Sequence, residues 1–118
     1  MTTKEIGDFG EDAACEYLEK MGYEILERNF RVRAGEIDII ADDDGCTVFA
    51  EVKTRKNNKY GEPSEYVDAK KIEHIKKTAL IYITSLDKEM RFDVVEVIYT
   101  IAGGRLKTVN LNHIKDAF

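Results

Sequence analysis

The sequence predicts a single α/β domain, a central mixed β-sheet flanked by helices, with elements in the order α-β-β-β-α-β-β. Two stretches carry apolar residues at helical spacing. Between and after them lie short runs rich in Ile, Val, Phe and Tyr, bounded by glycine-containing turns. The length of 118 residues suits one compact domain and leaves little room for a second.

The first helix is expected from Ile6 to Met21, where Ile6, Phe9, Ala13, Tyr17 and Met21 recur at helical spacing and Gly22 follows as a C-terminal cap. Tyr23 to Phe30 reads as a strand with Tyr23 and Ile25 toward the core. Gly35 opens a second strand, Glu36 to Asp42, and Asp44-Gly45 is a two-residue hairpin turn. A third strand follows from Cys46 to Thr54. The polar segment RKNNKYGEPS, with Gly61 and the only proline, Pro63, reads as an exposed loop. A second helix is expected from Glu65 to Thr84, burying Val67, Ile72, Ile75, Ala79 and Tyr82 or Ile83. Met90 to Thr100 and Leu106 to Leu111 read as strands joined by a turn at Ala102-Gly103-Gly104.

Composition narrows the function. The chain is 43% apolar and 35% charged, enough to bury a modest core and stay well solvated. No run approaches the roughly 18 apolar residues of a membrane span. The N-terminus lacks a cationic region followed by an apolar run, so no secretory signal is expected. Cys15 and Cys46 stand alone without CxxC spacing, which favours buried thiols over a zinc site or disulfide. A cytoplasmic protein is the expectation. A net charge of −5 weighs mildly against nucleic acid. The charge is uneven, however: Lys53 to Lys77 holds eight Lys/Arg against four Asp/Glu, and Arg28, Arg31 and Arg33 cluster upstream.

The chemistry concentrates on the hairpin. With Asp44-Gly45 as the turn, Asp43 faces Cys46, Ile40 faces Phe49, Asp38 faces Glu51 and Glu36 faces Lys53. Side chains alternate along a strand, so Glu36, Asp38, Glu51 and Lys53 share one face. Ile37, Ile39, Val48, Ala50 and Val52 share the other. Directly opposed carboxylates destabilise a sheet unless a cation lies between them, and a hard divalent ion such as Mg²⁺ takes carboxylate oxygens and water. Lys53 is placed to orient an attacking water or to stabilise charge on a phosphate. The plainer reading is a solvent-facing hairpin face with alternating charges and one Glu36–Lys53 salt bridge. On the residues alone the two readings stand about level.

At these residues the sequence resembles the YraN family of uncharacterised bacterial proteins. The resemblance rests on GEIDIIA (Gly35 to Ala41), FAEVKTR (Phe49 to Arg55), Gly61, Lys70 and the G-x-x-G-E-x-x-A stretch from Gly7 to Ala14. It runs through nearly the whole chain. That family is similar to archaeal Holliday-junction resolvases and to the restriction-endonuclease-like PD-(D/E)xK fold. The resemblance implies that Asp38 and Glu51 bind Mg²⁺ or Mn²⁺, that Lys53 is catalytic, and that Glu11 adds a carboxylate from the first helix. Ile37 replaces the proline of the motif's name, a residue without a chemical part. Glu36 is either a third ligand or an outer partner.

The expected activity is hydrolysis of DNA at branched or damaged sites, with no membrane involvement. Because related nucleases cut two strands with two sites, a homodimer is the expected assembly. The alternatives are a non-catalytic module of the same fold that binds nucleic acid or protein, and a nuclease acting on RNA. Arg31, Arg33, Arg55, Lys56 and Lys70, with Arg28 and Lys59, are candidate phosphate contacts, set against the ordinary solvated role of basic residues. Tyr60 is either a base-stacking residue or a loop anchor. His74 and His113 have no mutual ligand spacing and are expected at the surface. Asp93 is expected to pair with an arginine.

Overall fold

The computed structural model describes residues 1–57, 67–84 and 88–118. Helix α1 spans Thr3–Lys20, and its first turn is closed by a capping box between Thr2 and Glu5. Strands β1 (Glu24–Val32), β2 (Gly35–Asp43) and β3 (Cys46–Lys56) follow, then helix α2 (Ala69–Tyr82) and strands β4 (Met90–Ala102) and β5 (Arg105–Ile114). The element order is the expected α-β-β-β-α-β-β. Asp68 caps α2 by accepting a 2.8 Å hydrogen bond from the Lys71 N–H, later than the expected start at Glu65, which lies outside the described residues.

The sheet is ordered β1-β2-β3-β4-β5. Its neighbours are antiparallel except β3 and β4, which run parallel on either side of the α2 crossover. The turns explain the antiparallel joints. Asp44 and Gly45 both adopt positive φ (49° and 93°), as do Gly103 and Gly104 (59° and 74°), the combination that a two-residue hairpin matched to strand twist requires.

Each face of the sheet carries its own core. On one, Ala14, Cys15 and Leu18 of α1 pack on Ile39, Ala41, Val48, Ala50, Val95 and Val97. On the other, Ile75 and Ala79 of α2 pack with Val67 on Ile37, Ile40 and Phe49. The α1 stripe differs from the expected one: Met21 is exposed, and the buried line runs through Gly10, Ala14 and Leu18. Gly10 is the cause. A Cβ there would lie 1.9 Å from the Thr54 hydroxyl, so only glycine lets α1 approach β3 so closely. The helix is thereby rotated, bringing Glu11, in line with Ala14 and Leu18 at i+3 and i+7, toward the sheet.

Register shifts interrupt β1 between Ile25 and Glu27 and β4 between Ile98 and Tyr99, and alternation fails again beside the site. Arg28 pairs with Ile39 and Phe30 with Ile37, while Asn29 and Asp38, between them, drop out of the ladder. Asn29 has φ 51°, a left-handed conformation that asparagine tolerates better than most residues. Across this point both strands turn over. Arg28 reaches α1 through Asp12, whereas Phe30 joins the α2-side core. Ile39 lies in the α1-side core and Ile37 in the α2-side core. The expectation that Ile37 shares a face with Ile39 is therefore corrected.

A buried ionic network ties the start of β4 to its neighbours. The fully buried Asp93 accepts hydrogen bonds from Arg91 (2.9 Å) and from the Asp116 N–H (3.1 Å), and His113 Nε2 lies 2.7 Å from it. Arg91 also reaches Asp43 and the Tyr23 hydroxyl, and the Tyr17 hydroxyl lies 3.1 Å from His113 Nδ1. The expected arginine partner of Asp93 is present. The expected surface position of His113 is corrected, since its side chain is 5% exposed. Both thiols are free. No helix among the described residues is long and apolar enough to cross a membrane.

Candidate functional site

The β2–β3 register follows the turn from Asp43–Cys46 to Ile39–Ala50 and then stops. The expected ladder pairs Asp38–Glu51 and Glu36–Lys53 are not made. Instead the Asp38 carboxylate accepts a 2.8 Å hydrogen bond from the Val52 N–H, so a side chain takes the place of strand backbone. Asp38 thus occupies a break in the ladders to both neighbouring strands. Like charge explains why the pairing ends here. Glu51 is buried, and its negative charge bears on Asp38. Burial above all, then Glu51 and Glu11, raise the Asp38 carboxyl to a pKa of about 7, against the Val52 hydrogen bond and Lys71.

Lys71, in the first turn of α2, sets its ammonium on the Glu51 carboxylate. Burial opposes its charge, but Glu51 and Asp38 outweigh that effect and hold the ammonium above its ordinary range. The sequence pointed to the neighbouring Lys70, which is exposed on the helix. One signal for Lys71 was available: two lysines open α2 with no acidic residue in the first turn, where the helix dipole disfavours cations.

Glu11 enters from the opposite face of the sheet. Its side chain hydrogen-bonds Asn29 and lies 3.9 Å from the Arg28 guanidinium, while burial pushes its carboxyl above the ordinary range. Its Oε1 is buried without a hydrogen-bond partner, an uncommon condition for a carboxylate. Because Asn29 stands opposite Asp38, the same kink that frees Asp38 supplies the contact to Glu11.

The remaining candidates divide by face. Alternation from Phe49 places Glu51 and Lys53 on the α2 side, and Lys53 makes no hydrogen bond or ion pair among the described residues. Glu36, beyond the turn-over, faces the α1 side near Glu11 and pairs with Arg31 at 3.0 Å. The expected Glu36–Lys53 salt bridge is thus corrected to Glu36–Arg31. Arg31, Arg33, Lys56 and Lys70 are exposed. Arg55 turns back onto the buried Glu96 at 3.1 Å, and Glu96 is held in turn by Asn112. Lys59, Tyr60 and Gly61 lie outside the described residues.

No three His, Cys, Asp or Glu side chains among the described residues stand as a preformed cage for one ion. The donor set nevertheless fits a hard cation. Asp38 and Glu51 crowd their charges together, and Glu11 Oε1 is a buried oxygen lacking a donor. Oxygen ligands of this kind suit Mg²⁺ or Mn²⁺ rather than softer metals.

A model described as "Uncharacterised protein family UPF0102" matches residues 10–97, the span that includes Glu11, Asp38, Glu51, Lys53 and Lys71. A UPF0102 protein of Caldicellulosiruptor bescii is 52% identical over 122 residues, with all of both chains covered. Those of Syntrophomonas wolfei and Persephonella marina are 43% and 46% identical, covering 98% and 95% of this chain and 98% and 91% of their own. The chain belongs to the UPF0102 family, and its carboxylate cluster lies wholly within the part that defines that membership.

Proposed function

We propose that the protein is a divalent-metal-dependent nuclease with the restriction-endonuclease-like, resolvase-related architecture that its motifs resemble. The observation that supports this reading is the crowding of Asp38 and Glu51 at one break in the sheet, with Glu11 close enough from the other face to bear on Asp38. A fold seeking only stability would place neutral side chains there, since crowding a second carboxylate against the buried Glu51 is costly. Asp38 and Glu51 would hold Mg²⁺ or Mn²⁺. The ion, when bound, polarises a phosphoryl oxygen and activates water. Lys53, which makes no ion pair among the described residues, would steady that water or the charge gathering on the phosphate. Glu11 completes the acidic wall and Asn29 orients it.

DNA is the proposed substrate. The exposed Arg31, Arg33, Lys56 and Lys70 supply a basic rim for sequence-independent phosphate contacts. Two copies would bring two sites to a branched duplex. A second reading, a non-catalytic nucleic-acid-binding module, is favoured by one observation: Lys71 already neutralises Glu51 without a metal.

Cleavage of junction, flap, single-stranded and duplex DNA, with Mg²⁺ or Mn²⁺, separates the two. The nuclease reading expects ion-dependent cuts, lost by at least about a hundredfold in Asp38→Ala and Lys53→Ala. Binding retained in all three proteins, with no cleavage by the wild type, would decide for the module.

A further inference from the structure

Lys71 breaks a local rule. It lies in the first turn of α2 beside Lys70, where no carboxylate other than the Asp68 cap offsets the helix dipole. Departures of this kind are expected where a residue serves a site rather than its own element. Its stem crosses from α2 to β3, and its ammonium sits on Glu51 within the field of Asp38. The two ends of the pair differ in exposure: the Lys71 side chain is 46% exposed and that of Glu51 is 5% exposed. Glu51 is fixed in the sheet, whereas Lys71 reaches in from solvent on a flexible stem and can withdraw. Withdrawal alone would leave a buried carboxylate unpaired beside another, which is strongly unfavourable. Arrival of a second cation removes that cost.

We propose that Lys71 is a tethered counter-cation that competes with the divalent ion for Glu51, so that metal binding and release of the Lys71 ammonium are one exchange. This inference rests on the reading of Asp38 and Glu51 as metal ligands. Charge counting supports it. Two carboxylates with one ammonium keep one net negative charge, and the same two with a divalent ion are neutral; both carboxylates with both cations carry an excess positive charge in a half-buried site. The exchange takes the pocket from one excess negative charge to none, whereas retaining Lys71 beside the ion would overshoot to an excess positive charge. It also frees an ammonium at the rim of the site, on the α2 side shared with Lys53.

Calorimetric titration of the whole protein with Mn²⁺, without nucleic acid, tests the exchange. Lys71→Met keeps the length of the stem and removes the charge. It is expected to bind Mn²⁺ about tenfold more tightly than the wild type, a coupling within the usual range for two linked ligands. Lys77→Met removes an equal charge from the exposed face of α2, where Lys77 pairs with Glu73, and is expected to leave the affinity within about twofold. Lys71→Gln keeps a donor for Glu51 and serves if the methionine variant does not fold; it is expected to tighten binding in the same direction. The rise in melting temperature on adding Mn²⁺ is expected to be larger in the Lys71 variants than in the wild type. Equal or weaker Mn²⁺ binding by the Lys71 variants, with the wild type still binding, would overturn the exchange and leave the metal centre standing. If none of the proteins binds Mn²⁺, the metal centre itself falls.

Discussion

Asp38 holds its proton to about pH 7 because it is buried and faces the charge of Glu51. The consequence for folding has a definite sign. An unfolded aspartate ionises near pH 3.9, so between there and about pH 7 the folded chain binds more protons than the unfolded one. Stability contributed by this carboxyl therefore falls as pH rises through that window, and stays low above it. Urea unfolding of wild type and Asp38→Asn from pH 4 to pH 8 should show this directly. The variant keeps an acceptor for Val52, so the wild type should lose roughly 2–4 kcal/mol relative to it across the range. Parallel curves would show that Asp38 is not the strained carboxyl described. Glu11 differs in kind: burial raises it, but Asn29 and Arg28 act against that rise, so its contribution to the same slope is smaller.

The elements account for how these side chains meet, and they also mark how far a sequence can be read. The Asp44-Gly45 turn fixed five ladder pairs in advance, from Asp43–Cys46 to Ile39–Ala50, because turn geometry sets register in a hairpin. The turn-over at Asn29 and Asp38 was not foreseen, since alternation assumes an unbroken pleat. Its one trace in the sequence is an asparagine within a strand, a residue that strands disfavour and the left-handed region accepts. Glu11 was ambiguous until Gly10 was seen against Thr54, because helical spacing alone does not reveal which side of a helix comes closest. His113 carried a readable signal, lying two residues beyond the half-buried Leu111 on one strand face. Replacing Asn29 tests the turn-over. Both Asn29→Gly and Asn29→Val lose the hydrogen bond to Glu11, but Asn29→Val should cost roughly 1 kcal/mol or more beyond Asn29→Gly, because a β-branched residue resists positive φ. Equal losses by chemical denaturation would mean that the kink does not constrain the backbone.

Across the whole molecule, the sheet keeps two charged assemblies apart. One is the carboxylate cluster around Asp38. The other joins Asp93, Arg91, His113, Asp43, Tyr17 and Tyr23, and links α1, β2, β4, β5 and the residue just before β1. The second is a satisfied network. Burial alone would raise Asp93, but His113, Arg91 and the Asp116 N–H outweigh it and hold its carboxyl below the ordinary range. Its contribution to stability is thus present above about pH 4 and lost as the medium is acidified through the lower, folded value. Asp93→Asn leaves Arg91 and His113 without their shared anion and should cost about 3–5 kcal/mol in urea unfolding. A cost under about 1 kcal/mol would show that the network is ornamental to the fold.

The cluster around Asp38 is the contrasting case: crowded with carboxylates, short of donors at Glu11, and only partly neutralised by Lys71. The central claim is that this arrangement serves a divalent cation. Mn²⁺ binding followed by the paramagnetic resonance of the free ion tests it most directly, in wild type, Asp38→Asn and Glu51→Gln. One ion per wild-type chain is predicted, with affinity at least about tenfold weaker in each variant. Binding of equal strength in all three proteins would contradict it.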